Sequence, residues 1–290
     1  KEWDDHVPAP LPPSSKRMCG WEVGDGIWAA WTYIYTFNIG PVGWRHSRPD
    51  LQDLWNELPA ALMLQDLRLP DRYHESVRRS LQSSAPQYKL YLTTLAARTW
   101  DPELRRRKRT TITCGMLVHK ELQPDPQAVS LSSLGLGRSA IKACRGRLIV
   151  VRFRNKQDQL SYLVNVYQYV GDHIQKHMRM YQSLSTVLHK LRLKSHLIIL
   201  GGDFNATFPG SRIGYAARRF PQDAGFQQWV TDNALVQADR NHTHTWRNPD
   251  GSKCANLDHF LMWEKKPAKD SGFCTNTRLS RHMGHDHAIL

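Results

Sequence analysis

LIILGGDFNATF, from Leu197 to Phe208, joins a run of branched apolar residues to a double glycine and then to two polar side chains. The apolar run predicts a buried strand that stops at the glycines. Asp203 and Asn205 follow one residue apart, and on an extended backbone residues i and i+2 point to the same face. A carboxylate that orients or deprotonates a water, beside an amide that donates a hydrogen bond, suits metal-assisted chemistry on a phosphate.

Two more acidic positions occur in apolar surroundings towards the end of the chain. LDHFL places Asp258 inside an apolar strand, where a carboxylate without a partner would be costly to bury. GHDHAIL then contains the adjacent pair Asp286 and His287. Three acidic positions at strand ends predict a hydrolase site.

The rest of the chain carries strand patterns with helical patterns between them. Apolar runs and period-two patterns predict strands ending at residue 38 and over residues 61–66, 88–95, 111–119, 148–153 and 160–169. Helical spacing predicts helices over residues 49–58, 172–192 and 224–233. Many strands with helices inserted between them fit an α/β fold, in which two packed sheets carry helices outside.

The chain is predicted to divide into a leader and one domain. Residues 1–26 contain the Pro- and Ser-rich stretch PAPLPPSSK without periodicity, which predicts a loosely held segment. Residues 27–290 are predicted to form a single domain, because the acidic elements are spread over nearly all of that length. The chain begins without Met and ends inside an apparent strand, so we expect it to be a fragment of a longer protein.

Composition points to an anionic partner. The formal net charge of the 290 residues is +14 and the pI is near 9.7, and nucleic acid is the commonest partner of so basic a chain. The five cysteines are odd in number and scattered, which favours a reducing compartment over a disulfide framework. No run approaches the ~18 consecutive apolar residues of a membrane span, so no membrane partner is expected.

The order of short motifs along the chain resembles the endonuclease/exonuclease/phosphatase superfamily. The motifs are TFN, LQD, CGMLV, NVY, GGDFN, HTW, LDHFL and HDH, which together span roughly residues 34–290. Within the superfamily, THTW followed by LDHFL looks most like the endonuclease domains of LINE-type (non-LTR) retrotransposons and the abasic-site endonucleases. The resemblance implies a deoxyribonuclease-I-like fold, a two-sheet β-sandwich flanked by helices in four α/β/β/α layers.

The resemblance also implies a metal site. The expected cofactor is Mg²⁺, with Mn²⁺ as the alternative, and Mg²⁺ takes oxygen ligands from one or two protein carboxylates. The candidate ligands are Asp66 and Asp286, with Asn38 close by as an amide oxygen or as a donor. Two positions depart from the family pattern: Asp66 replaces a glutamate, and His285 replaces the serine before the final Asp-His pair.

A catalytic set follows from the same resemblance and from the chemistry of phosphodiester hydrolysis. Asp203 would orient and deprotonate the attacking water, while Asn205 and Tyr167 would hydrogen-bond the phosphate. His287, oriented by the carboxylate of Asp258, would donate to a phosphate oxygen in the transition state, since a nearby carboxylate favours the charged imidazole.

Basic and aromatic residues suggest how a duplex is held. Phosphate contacts position a duplex without reading its sequence, and the candidates form the run Arg105, Arg106, Arg107, Lys108 and Arg109. The alternatives for this run are solvated surface charge and a nuclear localisation signal. Thr245 and Trp246 match a family position near the scissile phosphate, and the alternative for Trp246 is core packing.

The leading interpretation is a divalent-metal-dependent endonuclease that nicks one strand of double-stranded DNA, leaving a 3′-hydroxyl, as the resemblance implies. In a LINE-type element the nick would prime a reverse transcriptase carried further along the same polyprotein. The alternatives are an abasic-site repair endonuclease, a phosphatase or deadenylase of the same fold, or a nucleic-acid-binding relic weakened at Asp66 and His285. A nuclear or otherwise intracellular location is expected.

Overall fold

The computed structural model describes the chain over residues 34–39, 51–54, 56–57, 59–70, 73–95, 100–101, 106–107, 111–122, 126–154, 159–170, 173–215, 220–240, 244–265, 274–275 and 287. The predicted leader over residues 1–26 lies outside these ranges, as do Arg105, Lys108, Arg109, His285 and Asp286. Among the described residues, no helix is both long enough and apolar enough to cross a lipid bilayer.

Two mixed sheets form the centre of the fold, and short paired strands accompany them. In chain order the strands are β1 (Ile34–Asn38), β2 (Ala61–Gln65), β3 (Leu69–Pro70), β4 (Tyr88–Leu95), β5 (Trp100–Asp101), β6 (Arg106–Arg107), β7 (Thr111–His119), β8 (Gln127–Ala128), β9 (Leu148–Arg154), β10 (Leu160–Tyr167), β11 (Leu197–Asp203), β12 (Arg212–Ile213), β13 (Val236–Gln237), β14 (Asp239–Arg240), β15 (Trp246–Arg247), β16 (Cys254–Ala255), β17 (Asp258–Glu264) and β18 (Cys274–Thr275).

The first sheet brings two predicted site residues to one edge. Its strand order is β1-β2-β7, and β3 and β4 both pair with β7. β1 and β2 are parallel, with Asn38 opposite Gln65 at the ends of the two strands. Because Asp66 directly follows Gln65, the parallel register places Asn38 and Asp66 at the same edge.

The second sheet places three more site residues in a row. Its strand order is β13-β17-β11-β10-β9-β8. β10 and β11 are parallel, with Tyr167 beside Asp203, and β17 runs antiparallel to β11, with Asp258 opposite Asp203. Tyr167 and Asp258 therefore lie on either side of Asp203, each on a neighbouring strand.

The double glycine is required because neighbouring groups approach β11 closely. A Cβ on Gly201 would lie 2.4 Å from the Phe260 ring and 2.7 Å from the sulfur of Met63, which belongs to the first sheet. Gly202 has a φ of +144°, and a Cβ there would lie 1.9 Å from the carbonyl oxygen of Val166. Glycine at position 201 lets the two sheets pack closely, and glycine at position 202 lets β11 adopt a backbone conformation that other residues rarely take.

Helices cover the outer faces of the two sheets. Apart from a helical turn at residues 51–54 and a short 3-10 helix (Lys120–Leu122), the helices of the described ranges are α1 (His74–Ser84), α2 (Arg138–Cys144), α3 (Ile174–Arg192) and α4 (Pro221–Asp232). α3 provides the crossover that the parallel strands β10 and β11 need. Its buried residues follow helical spacing, at Met180, Tyr181, Leu184, Val187, Leu188 and Leu191.

Three hydrophobic layers lie between the four structural layers. Leu54 and Val77 pack with the first sheet on its helical side, and Met63 and Leu163 lie between the sheets. Leu184 belongs to the layer between the second sheet and its helices, where each fully buried leucine contributes roughly 1.5–3 kcal/mol. The predicted fold class, a two-sheet sandwich flanked by helices, is confirmed.

Candidate active site

Polar side chains from both sheets meet where β1, β10 and β11 end and β17 begins. Asn38, Asp203, Asp258 and His287 are all buried, and hydrogen-bond contacts join them in a continuous chain. The sequence predicted Asp203, Asp258 and His287 as catalytic residues and Asn38 as a donor or metal ligand beside them, and the fold brings these four residues together from distant parts of the chain.

The carboxylate of Asp203 lies at the centre of this cluster. Its Oδ2 accepts hydrogen bonds from Asn38 Nδ2 at 2.7 Å and from Asn205 Nδ2 at 3.0 Å, and its Oδ1 accepts one from the backbone N–H of Asn205 at 2.8 Å. Asn205 has a φ of +48°, a left-handed conformation that asparagine tolerates better than most residues. The two side chains therefore meet through a turn, and not on a continuous strand as predicted.

The surroundings of Asp203 favour its protonated form. Burial, and then the charge of Asp258, raise the pKa of Asp203 from 3.8 to about 7. The charge of His287 and the hydrogen bonds from Asn205 and Asn38 act in the opposite direction and offset part of the effect. A carboxylate with a pKa near neutrality is suited to accept a proton from water at physiological pH.

Asp258 and His287 form the second half of the cluster. His287 Nδ1 lies 2.8 Å from Asp258 Oδ2, and Nε2 lies 3.4 Å from Asn38 Nδ2. A proton on Nδ1, donated to the carboxylate, fixes the ring and turns Nε2 towards the other site residues. Thr245 Oγ1 accepts the backbone N–H groups of Leu257 at 2.9 Å and Asp258 at 3.0 Å, which fixes the start of β17.

Asp66 lies beside the cluster and has two side-chain partners of its own. Arg68 donates to both carboxylate oxygens, from Nε at 2.9 Å and from Nη2 at 2.5 Å, and the Tyr167 hydroxyl also hydrogen-bonds Asp66. Burial raises the pKa of Tyr167, and the charges of Asp66 and Asp203 raise it further. The phenol therefore keeps its proton and remains a hydrogen-bond donor.

A layer of buried polar side chains lies below the site and joins the two sheets. Gln65 Nε2 donates to Thr36 Oγ1 at 2.9 Å and to Asn165 Oδ1 at 2.6 Å. Asn165 Nδ2 donates to the carbonyls of Leu64 at 3.0 Å and Gly115 at 2.8 Å, both in the first sheet. A satisfied buried network of this kind allows one relative position of the sheets, so it fixes the edges that carry the site.

One group of residues in the cluster could hold a metal ion. Asp203, Asp258 and His287 each offer a ligand atom, and these atoms lie within 4.8 Å of one another. Asp258 Oδ1 is buried and accepts no hydrogen bond from any described residue, and an unpaired buried carboxylate oxygen is costly unless a cation or a proton shares it. The donor set therefore fits a divalent cation.

This group differs from the ligands predicted from the sequence. Those were Asp66, Asp286 and Asn38, of which Asp286 lies outside the described residues. Asn38 donates its amide to the cluster, and Asp66 is engaged by Arg68. The predicted ligand set stays a prediction.

The residues predicted to contact nucleic acid occupy different settings. Thr245 is buried, and Trp246 is half-buried with its ring centroid 6.5 Å from that of Tyr215. Trp246 also forms an isolated backbone bridge with His287, which places the two residues side by side. A direct contact of Thr245 or Trp246 with a nucleic acid stays a prediction.

The predicted basic run is described only in its centre. Arg106 and Arg107 form β6, which pairs with Trp100 and Asp101 in β5. Arg105, Lys108 and Arg109 lie outside the described residues. Phosphate binding by the run stays a prediction.

Several supporting residues were not predicted from the sequence. Gln65 and Asn165 carried a weak signal, because each is a polar residue in an otherwise apolar strand next to a predicted site residue. The contacts of Arg68 and Arg147 carried none, because nothing in the local sequence shows that Arg68 reaches back to its neighbour or that Arg147, which is basic and so a possible phosphate contact, meets the end of β10.

The fold of this chain is similar to the folds of several solved proteins. No protein-family model matches the sequence, and no curated protein matches it either. The catalytic domain of Xenopus laevis APE2 matches the fold with a TM-score of 0.59 and 14% identity, over 88% of this chain and 89% of that chain.

Two further solved structures match over similar lengths. The 3′ phosphatase NExo from Neisseria, bound to a product DNA hairpin, has a TM-score of 0.58 and 15% identity, over 88% of this chain and 96% of that chain. The endonuclease domain of TRAS1, a telomere-specific non-LTR retrotransposon, has a TM-score of 0.54 and 13% identity, over 88% and 94%.

The fold of the chain is therefore the one that these solved structures share. The chain has the fold of the endonuclease/exonuclease/phosphatase superfamily, and the predicted resemblance is confirmed at that level. Identities this low establish the fold alone, because one fold can carry many different reactions.

Proposed function

We propose that this protein is a divalent-metal-dependent endonuclease that hydrolyses one phosphodiester of double-stranded DNA and leaves a nick with a 3′-hydroxyl. The observation that carries the proposal is the buried hydrogen-bonded cluster of Asn38, Asp203, His287 and Asp258. The net charge of +14 supports a polyanionic substrate.

Each residue of the set has a defined task in this reaction. Asp203, with a pKa of about 7, accepts the proton of the attacking water. Asn205 and the protonated phenol of Tyr167 donate to non-bridging phosphate oxygens. His287 donates from Nε2 to a phosphate oxygen, while Asp258 holds the ring through Nδ1.

A divalent cation would complete the electrostatics. Mg²⁺, or Mn²⁺ as the alternative, would neutralise the charge that develops on the phosphate when bound by these acidic residues. Both ions accept carboxylate oxygens, which leaves His287 free to act as a donor to the phosphate.

The biological setting we propose is a retrotransposon of the LINE type. The endonuclease domain of TRAS1 matches the fold over 88% of this chain, and the order THTW then LDHFL resembles that branch. The nick would prime a reverse transcriptase encoded further along the same polyprotein, which requires a nuclear or other intracellular location.

Nicking of supercoiled plasmid tests the proposal directly. Wild type should convert plasmid to open circles with Mg²⁺ or Mn²⁺ and not in EDTA. Asp203→Asn should lower the rate by about 10²–10⁴-fold, the usual contribution of a general base. Asp232→Asn, an exposed replacement at the end of α4, removes the same charge and should nick like wild type.

Other outcomes identify the remaining candidates. A strong preference for an abasic duplex over an intact one would indicate a repair endonuclease. Release of phosphate from a 3′-phosphorylated end would indicate a phosphatase, and shortening of poly(A) RNA a deadenylase. DNA binding without cleavage in either metal would indicate a nucleic-acid-binding relic and contradict the proposal.

A further inference from the structure

Arg147 forms hydrogen bonds with the backbone at the end of β10. It lies immediately before β9, and its carbonyl oxygen accepts the backbone N–H of Tyr167 at 2.8 Å. Its Nη1 donates to the carbonyls of Tyr167 at 3.3 Å and Gln168 at 3.0 Å. One arginine therefore binds the backbone of Tyr167 on both its N–H and its C=O side.

The same guanidinium lies over two aromatic rings. Its Cζ lies 5.2 Å from the ring centroid of Tyr167 and 3.9 Å from that of Tyr169. The hydroxyl of Tyr169 donates to the carbonyl of Ala143 at 3.2 Å, so the second ring is itself fixed to the end of α2. Arginine presents a planar, delocalised charge to such rings, whereas lysine presents a compact point charge.

The contact with Gln168 extends the effect of Arg147 to a second site residue. The carbonyl of Gln168 also accepts a hydrogen bond from Asn205 Nδ2 at 3.3 Å. The backbone N–H of Gln168 donates to the carbonyl of Asp203 at 2.8 Å. Displacement of this residue would therefore move the group that orients Asn205.

The local turn is built to hold Arg147 in this position. Gly146 has a φ of +71°, and its carbonyl accepts hydrogen bonds from the hydroxyl of Thr113 and, at 3.4 Å, from the thiol of Cys114. Arg147 Nε is buried and has no hydrogen-bond partner among the described residues. A methionine of similar length would avoid the cost of burying an unpaired donor. An arginine is thus placed here for its donors and its planar charge, not for packing alone.

We propose that Arg147 is a positioning residue, which aims the Tyr167 hydroxyl and the Asn205 carboxamide at the phosphate. This inference rests on the proposed function, because both groups are assigned to the phosphate there. The hydroxyl of Tyr167 hydrogen-bonds Asp66, and its backbone lies beside Asp203 in the register of β10 and β11. A small shift of the end of β10 would therefore change the geometry at both of these carboxylates. Displacements of about 1 Å at such groups cost on the order of 100-fold in rate.

A mutant cycle tests the proposal. We would measure single-turnover nicking at saturating plasmid and Mg²⁺, duplex affinity in EDTA by anisotropy, and thermal melting. Arg147→Met should slow nicking by about 10- to 100-fold while the duplex affinity stays within ~3-fold, and Arg147→Lys should recover part of the rate. In a Tyr167→Phe, Asn205→Ala background, Arg147→Met should slow nicking by less than ~3-fold, because groups that act through one another are not additive.

The control is Arg152→Met, which removes an exposed arginine from β9, the strand that Arg147 precedes, and should leave the rate unchanged. The proposal would be overturned if Arg147→Met slowed nicking as much in the double-variant background as in wild type. It would also be overturned if a folded Arg147→Met protein nicked at the wild-type rate. Should Arg147→Met not fold, Arg147→Lys carries the same cycle. Absence of nicking by wild type would refute the proposed function itself, so the two failures are distinguishable.

Discussion

The buried carboxylate of Asp203 should make the folded protein less stable as the pH rises. The side chain is 1% exposed, and burial and the charge of Asp258 raise its pKa from 3.8 to about 7. Between these two values the folded state holds a proton that the unfolded state has released. The unfolded state then binds fewer protons than the folded state, so the free energy of unfolding falls as the pH rises.

The size of the effect follows from the two pKa values. Their difference, 7 minus 3.8, is about 3, and each pH step of one contributes about 1.4 kcal/mol, which gives roughly 4 kcal/mol in total. The extra stability is fully present below pH 3.8 and is lost completely above about pH 7. Asp203→Asn should abolish this contribution, because asparagine does not titrate.

Urea unfolding of metal-free protein in EDTA measures the effect. Between about pH 5 and about pH 8, the free energy of unfolding of wild type relative to Asp203→Asn should fall by roughly 3 kcal/mol. Comparing the two pH values removes the contribution of hydrogen bonds that asparagine loses to Asn38 and Asn205. The exposed replacement Asp232→Asn should track wild type. An equal difference at both pH values would refute the buried-charge argument.

Three further changes test other parts of the site. Asp258→Asn should slow nicking by about 10²–10⁴-fold, since His287 loses the acceptor that fixes its tautomer; single-turnover rates with His287→Asn and the double variant should show strong non-additivity. Arg68→Ala should tighten Mg²⁺ binding in calorimetry, because the 59%-exposed arginine competes with the cation for the carboxylate of Asp66. Weaker Mg²⁺ binding by this variant would contradict that competition. Asn165→Leu should lower the free energy of unfolding by about 2–5 kcal/mol in urea, since two carbonyls and an amide of the layer between the sheets lose their partner.

The main strands and the long helix could be predicted because their hydrophobic patterns are strong. The strands over residues 88–95 and 111–119 have the predicted bounds, and the predicted helix over 172–192 is observed as Ile174–Arg192. Helices α1 and α2 were missed. α1 reads HESVRRSLQSS, with few apolar residues to set a helical period, and α2 has only 7 residues, so tertiary packing decides both.

The cluster could be predicted in part because burial of charge requires partners. A carboxylate buried in the apolar strand LDHFL needs a hydrogen-bond donor as a partner, and His287 is that partner of Asp258. Contacts between residues that are distant in the sequence left no such signal in the local sequence pattern. Arg147 meets Tyr167 only because β9 and β10 are antiparallel in this register, and no local pattern encodes that meeting.

The pairing of Asp203 with Asp258 on adjacent strands explains why the cluster has the composition it has. Like charges directly opposite one another destabilise a sheet, and both carboxylates are 1% exposed. Two amides and one imidazole donate towards them, yet Asp258 Oδ1 still lacks a donor among the described residues. A core selected for stability alone would replace such a pair with apolar residues. Retaining it is understandable if the negative charge is needed when substrate and cation arrive, so the local instability of the free protein and its proposed chemistry have the same origin.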